Sequence, residues 1–504
     1  MPPCKRPSFL WCKDITLVVW SGCLKTPNWQ FRCRIRDLKD QEANRHGAIL
    51  TLKLLKMAKV KTKKETVRKI SQLTVINPKV AGIDVSDTEM MVAYPINPAQ
   101  MEIKPFGCYT RDLRSIAECL KENGITSVAM ESTGVYWVAL FLMLQEYGFE
   151  VYLVNAQHVK NVTGRKDDES DAEWIQKLHS CGLLNASFQP SNMVRTLRSM
   201  VRHRKNMVRT SADYLNRMQK ALELMNIKLH TVISDIDGKT GLRIIDAILS
   251  GERNPEVLAQ MRDSRIKASQ EEIIRSLEGY WVTEHLFELG QCYRLYKEHR
   301  QMIRECDIEI EKQLIEQIAA ENQGVIPKIT PIKRKAQTKH KISFNLTSYL
   351  NHILNVDVTK VCGISEITAL TILSEVGTDM SKWKTEHHFT SWLGLAPNTK
   401  KSANKVISSR IKKKKHNAGQ AFRMAANSLH NSKSPLGDYF RRIRAKAGTP
   451  KAIVAAARKL AIIYYKMISN KEAFNPKALE DYQKKYREKK INQLRKKIAL
   501  LEAA

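Results

Sequence analysis

The chain has 504 residues, enough for two or three domains with cores of their own. Its 84 Lys and Arg against 51 Asp and Glu give a formal net charge of +33, which points to polyanionic partners, because basic side chains that contact phosphates release condensed counterions. No apolar run reaches the length of a membrane-spanning helix, and the apolar stretch at residues 15–20 is too short for a signal-peptide core. Most of the ten cysteines sit singly in apolar patterns, as Cys292 and Cys306 do, so a disulfide framework is excluded; Cys4, Cys12, Cys23 and Cys33 lack the spacing of a zinc site.

Residues 1–78 read as a basic extension without clear periodicity. Met57 is followed by Ala-Lys-Val-Lys-Thr-Lys-Lys, a plausible native N-terminus, and translation is expected to begin there. Residues 79–185 then alternate strands and helices. The pattern predicts strands at 80–86, 90–94 and 102–108, a helix at 111–122, a strand at 126–131, a helix at 136–147 and a strand at 150–155. That order is the ribonuclease H-like one, an α/β layered domain whose functional groups belong at strand ends.

Residues 190–322 turn helical. Leu197, Met200, Met207, Ser211, Leu215, Met218, Leu222 and Met225 recur at spacings of three and four, with Arg204 in the seam, and a second helix over residues 289–318 keeps the same rhythm. The two would form a coiled-coil hairpin or a dimer seam. Arg195, Arg198, Arg202 and Arg209 lie elsewhere on the first helix, either as a face that follows a nucleic-acid backbone or as an ordinary solvated surface. Asp237-Gly238-Lys239-Thr240-Gly241 reads as a turn without phosphate-loop spacing, which argues against nucleotide hydrolysis. Residues 323–342 form a basic linker, 343–470 a mainly helical C-terminal domain, and 471–504 a basic helical tail. In the C-terminal domain, residues 361–377 read as two helical runs hinged at glycines, like a helix-hairpin-helix, and residues 392–410 as a serine-bearing loop among cations.

The acidic stretch Lys166-Asp167-Asp168-Glu169-Ser170-Asp171-Ala172 stands out against so basic a chain. If Asp168 opens a helix through Trp174, Ile175 and Leu178, Asp168 and Asp171 share a face of its first turn. Asp84 sits in one apolar strand and Glu131 ends another. Each carboxylate taken alone fits a cap or turn. Together, in this order, they suit hard cations such as magnesium, a pair of which can clamp the attacking and leaving oxygens of a phosphodiester.

Gly82-Ile83-Asp84-Val85-Ser86, Glu131-Ser132-Thr133-Gly134, the acidic stretch, Gly363-Ile364-Ser365-Glu366-Ile367-Thr368-Ala369 and Gly394-Leu395-Ala396-Pro397-Asn398-Thr399-Lys400-Lys401-Ser402 resemble the DEDD-type insertion-sequence transposases over residues 80–468. The resemblance implies a RuvC-like domain, a coiled coil and a serine-bearing transposase domain. It implies a site-specific DNA recombinase acting on donor and target double-stranded DNA, guided by an element-encoded bridge RNA, working as a homo-oligomer, a dimer or tetramer, in the nucleoid of a prokaryotic cytoplasm. It also implies that Asp84, Glu131, Asp168 and Asp171 hold Mg2+ and that Ser402 is the nucleophile. Metal and serine would then come from different domains.

Three departures from the family pattern bear on the site. Ala403 follows the serine where the family usually has Gly, which permits backbone angles that Ala does not. Asp167 stands where a small polar residue is usual, and Ser408 and Ser409 are neighbouring hydroxyls. Two other readings fit the residues: a RuvC-like nuclease that cuts with metal-activated water, Ser402 serving as a phosphate-binding hydroxyl, and a non-catalytic nucleic-acid-binding protein whose carboxylates cap helices.

Overall fold

Val80-Ala81-Gly82-Ile83-Asp84-Val85 forms a strand because its odd and even positions face two different layers. In the computed structural model, which describes residues 10–12, 15–17, 74–97, 100–132, 134–155, 159, 170–321, 341–403, 405–411 and 416–502, the chain divides into two units, Met1–Ser187 and Phe188–Ala504. The proposed start at Met57 and residues 323–340 of the charged linker lie outside the described residues. Near the N-terminus Leu10–Cys12 pairs antiparallel with Ile15–Leu17, a ladder that the sequence reading did not anticipate.

The first unit is built on a five-stranded mixed sheet. Its strands are β1 (Val80–Val85), β2 (Met90–Asn97), β3 (Gln100–Phe106), β4 (Ser127–Glu131) and β5 (Glu150–Val154), in the order β3-β2-β1-β4-β5. The β1–β2 and β2–β3 pairs are antiparallel and the β1–β4 and β4–β5 pairs parallel. Helices α1 (Thr110–Glu122) and α2 (Trp137–Glu146) make the parallel crossovers and cover one face. The apolar stripe of α1, Leu113, Ile116, Ala117 and Leu120, is fully buried against Ile83, Val92 and Val128, each large side chain contributing about 1.5–3 kcal/mol. Helix α3 (Asp171–Ser180) covers the other face through Trp174, Ile175 and Leu178, packed with Ala129 and Val154. This is the ribonuclease H-like fold that the strand order predicts, with boundaries shifted by one to three residues.

The second unit starts with two long helices, α4 (Asn192–Leu224) and α9 (Thr283–Glu321). They pack side by side within one chain: Arg204 meets Asp307 and Tyr214 meets His299, so they run antiparallel as a hairpin. In the seam Arg204 Nε donates to Asp307 Oδ1 at 2.5 Å, with the two side chains 7% and 3% exposed. Between the long helices lie α5 (Leu229–Val232), α6 (Lys239–Leu249), α7 (Pro255–Gln260) and α8 (Gln270–Leu277). Ile244, Ile245, Ile248, Leu258, Ile273 and Leu277 close this small helical module against Met218, Leu222 and Leu289. The segment 237–241, read from sequence as a turn, is a turn at Asp237 that leads through the N-cap Gly238 into the first residues of α6.

At the other end of the hairpin, Leu197, Val201, Ile310, Leu314 and Ile318 share a core with α10 (Leu346–Leu354), α11 (Glu366–Val376), α12 (Glu386–Trp392), α13 (Asn417–Asn427), α14 (Pro435–Ala447) and α15 (Thr449–Asn470). The glycine-hinged segment holds one helix, not two: α11 follows a 3-10 turn at Val358–Lys360 and Gly363, and its partner in a helix-turn-helix-like pair is α10. Helix α16 (Pro476–Glu502) is the basic tail, anchored where Arg442 stacks on Tyr486 at 3.8 Å.

Two of the arginines read as a possible nucleic-acid face have internal work instead. Arg202 makes a bidentate pair with Glu375 at 2.7 and 2.8 Å, and Arg198 donates to the Ser374 and Glu375 carbonyls at the end of α11. Burial pushes the Glu375 carboxyl up, but Arg202, Arg198 and Asn417 outweigh it and hold the group below the usual carboxylate range. Arg195 is partly buried, and Arg202, although paired, stays exposed like Arg209. Their i, i+3, i+4 spacing could not show that Arg198 and Arg202 are engaged by residues more than 170 positions away.

Candidate functional site

Glycine at position 82 is what lets α3 reach the sheet. A Cβ built there would lie 2.3 Å from the Ala172 carbonyl oxygen and 2.3 Å from the Gln176 nitrogen, so helix backbone and strand backbone touch directly. Gln176 Nε2 donates to the Val80 carbonyl at 3.2 Å, and the Ser180 carbonyl accepts from Ile76 and Asn77. Ala172 therefore lies near the middle of β1 and Ser180 near its beginning, and α3 runs antiparallel to β1. Its N-terminus stands at the C-terminal end of the strand.

Strand alternation places the carboxylates on that same face. Gly82 faces α3, so Asp84, two residues on, faces the same way. On β4, Ser127 Oγ is hydrogen-bonded to His179 Nε2 of α3 at 2.8 Å, so Glu131, four residues on, also shares the face. Burial pushes the His179 imidazole below its usual pKa, and the ring pairs there as a neutral group. The β1–β4 register runs Val80 with Ser127 through Ile83 with Met130, which sets Asp84 level with Glu131 on neighbouring strands. Asp171 is the first residue of α3, whose N-cap is Ser170, with its hydroxyl accepting from the Glu173 amide at 3.2 Å. The first-turn amides and helix dipole favour negative charge there.

The structure thus brings Asp84, Glu131 and Asp171 to one edge of the sheet, each half-buried. Asp168, with Asp167, lies outside the described residues, and the helix expected to open at Asp168 is described from Asp171. Among the described residues no three His, Cys, Asp or Glu side chains already form a cluster of metal-binding geometry. The donor chemistry nevertheless fits a hard divalent cation, since every contributor at this edge is a carboxylate oxygen.

In the second unit, Ser402 is placed by a β-hairpin that the sequence reading took for a loop: β6 (Lys400–Ser402) and β7 (Lys405–Ser408), paired antiparallel. The base of the hairpin is held by Asn398, whose amide donates to the Arg410 carbonyl at 3.1 Å, and by a bridge between Pro397 and Ile411. Below it, Arg423 donates to the Gly394 carbonyl at 2.8 Å, and Trp383, Phe389 and Trp392 pack as an aromatic cluster. A rigid platform therefore carries an exposed tip.

Ser402 pairs with Lys405 at that tip and is exposed, as are Lys400, Lys401 and Lys405. Of the two neighbouring hydroxyls, Ser408 is half-buried and accepts from the Arg410 amide at 3.3 Å, a turn-holding role, while Ser409 follows the end of the strand. Ala403, the residue that replaces the family glycine, has φ of +43°. The turn keeps its left-handed geometry at a cost of about 1–2 kcal/mol for a residue with a Cβ. Ala403→Gly is expected to stabilise the hairpin by a net of about 0.5–1 kcal/mol, after allowing for the greater freedom of glycine in the open chain. Amide exchange at Lys401 and Val406 should slow about threefold; faster exchange would place the strain elsewhere.

Residues 81–227 match a DEDD transposase family model of the IS110 type, and residues 357–441 match the model of the transposase IS116/IS110/IS902 family. The chain belongs to the IS110-type DEDD transposases. The first match contains Asp84, Glu131, Asp168 and Asp171 and the second contains Ser402, so both candidate centres fall inside matched regions. The chain is accordingly a DNA transposase, an enzyme of an insertion sequence whose substrate is DNA. Comparison with curated proteins gives no match. Among the described residues no helix is long and apolar enough to cross a membrane.

The sequence reading missed one signal in the second region. Between Glu386 and Asp438 there is no carboxylate at all, while Lys400, Lys401, Lys405, Arg410, Lys412, Lys413, Lys414, Lys415, Arg423 and Lys433 fall in that interval. A count of charge along the chain, instead of over the whole of it, would have marked this stretch as the candidate phosphate-contacting surface.

Proposed function

We propose that this transposase is an RNA-guided recombinase in which Ser402 attacks a DNA phosphate while Asp84, Glu131, Asp168 and Asp171 hold Mg2+. The observation that carries the carboxylate half is the register of Asp84 with Glu131 beneath the N-terminus of α3. Magnesium bound there would neutralise charge on the phosphate oxygens and promote loss of the hydroxyl proton. The serine half is supported by an exposed hydroxyl at the strand end beside the hairpin turn, within a segment free of carboxylates.

In this reading the Ser402 hydroxyl forms an Oγ–P bond as the bond from phosphorus to one deoxyribose oxygen breaks. The hydroxyl proton passes to that leaving oxygen, and the phosphoserine ester conserves the energy of the broken strand. A deoxyribose hydroxyl of the second duplex then attacks the phosphorus and releases the serine with its proton. Lys400, Lys401 and Lys405 hold the phosphate backbone over the hydroxyl. Recombination of two duplexes requires several strand cuts, and a homo-oligomer, dimer or tetramer, supplies them. An element-encoded bridge RNA pairs with target and donor DNA in the prokaryotic nucleoid, and the large basic surface retains it.

The test is recombination between donor and target plasmids in cells supplying the flanking element RNA. Ser402→Ala and Asp84→Ala should each lower it by about 10^3-fold or more while RNA and DNA binding persist. A covalent protein–DNA adduct should be trapped with the wild type and be absent with Ser402→Ala. If Ser402→Ala recombines normally, the serine mechanism falls and metal-assisted hydrolysis takes its place. If recombination is unchanged without the RNA, the guide is not required.

A further inference from the structure

The serine hairpin carries a feature that a phosphate-holding loop does not need. Its register runs Ser402 with Lys405 and Lys401 with Val406, then jumps to Lys400 with Ser408, so Ile407 is an extra residue with no partner across the ladder. Such a bulge kinks the strand and re-aims the side chain at it. Ile407 is 68% exposed and Val406 53% exposed, next to three lysines. Hydrophobic residues of that size at an exposed edge lose about 1.5–3 kcal/mol of burial each, and they contribute nothing to the core beneath.

We propose that Ile407 is a wedge that enters duplex DNA between neighbouring base pairs beside the phosphate presented to Ser402. A two-stranded β-ribbon fits a DNA groove, and proteins that kink DNA do so by inserting an apolar side chain at a base step while flanking cations hold the phosphates. The hairpin has both parts. Lys400, Lys401, Lys405 and Arg410 supply the phosphate contacts, and the bulge supplies the apolar tip. Charge selects the occupant, because no carboxylate occurs from residue 387 to residue 437 and a protein surface of mixed charge would find no acceptor for its own cations there. Unstacking one step kinks the duplex at that point and changes the backbone geometry at the phosphate beside the hydroxyl. The proposal rests on the reading that duplex DNA lies at the serine hairpin, but it does not need the serine to be the nucleophile.

The test uses the full chain with duplexes from the element end that carry 2-aminopurine at successive positions, without RNA, so that strand separation by a guide does not contribute. Wild-type protein should raise the fluorescence at one step. Ile407→Ala should lower that rise by about fivefold or more at saturating protein, with affinity changed by less than about threefold, whereas Ile407→Leu should keep it. Because the side chain lies outside the core, the variants should melt with the wild type. No rise with the wild type, or an undiminished rise with Ile407→Ala, overturns the wedge. Ser402→Ala should retain the full rise; if it also recombines, the nucleophile assignment falls while the wedge result stands on its own.

Discussion

Gly82→Ala is expected to separate α3 from the sheet and abolish transposition, although the substitution adds a single methyl group and removes none of the candidate carboxylates. The added carbon would meet backbone, the Ala172 carbonyl oxygen and Gln176 nitrogen at 2.3 Å, and backbone cannot rotate aside as a side chain can. Relief requires the helix to move outward by about 1 Å or more, at a cost of about 3 kcal/mol or more from overpacking and from loosened burial of Trp174, Ile175 and Leu178. Asp171 would move with the helix while Asp84 and Glu131 stayed with their strands. The expected result is a lower melting temperature for the first unit and loss of recombination, with α4 and α9 still helical by circular dichroism. A Gly82→Ala protein with unchanged melting and activity would show that the helix does not sit as close as described.

Asp307→Ala is the second large effect. It leaves the Arg204 guanidinium buried in the seam of the long hairpin without its carboxylate, which costs about 3–5 kcal/mol. Replacing both residues, as Arg204→Met with Asp307→Leu, removes the desolvation of two charges and is expected to return stability to near the wild type or above it. Denaturant titration of the three proteins decides the matter. If the double variant is as unstable as the single one, the pair contributes favourably in itself, and the desolvation argument is wrong for this seam. The two positions touch, so their effects should be far from additive.

Much of the first unit was legible in the sequence because its signals are local. The continuous apolar run of Val80–Val85 around one carboxylate, the 3-4 stripe of α1 and the glycines and polar turns between them each fix an element within a few residues. The level pairing of Asp84 with Glu131 was not legible, since strand order alone leaves the parallel register open by a residue or two, and one residue turns a side chain to the other face. In the second unit, helix spacing announced α4 and α9 but could not say which arginines were covered, because Glu375 reaches Arg202 from another part of the chain. Of the four helices between the long ones, α5, α7 and α8 are too short to show a clear period, whereas α6 carries the stripe Gly241, Ile244, Ile245 and Ile248 and was missed because the sequence reading stopped at the turn before it. The serine hairpin was read as a loop because three- and four-residue strands made of lysine, serine and isoleucine have no alternation to detect.

Ala403 bears on how this turn can change over generations. The ladder pairs Ser402 with Lys405, leaving room for two residues, and a lineage that gained or lost one would rotate the serine to the opposite side of the ribbon. Point substitutions at the turn have to accommodate a left-handed φ, as Ala403 does, whereas changes of length would alter the pairing itself. Descendants of this element should therefore vary at positions such as 403 while keeping the number of residues between Ser402 and Lys405, and an insertion or deletion there would mark a copy that has ceased to move.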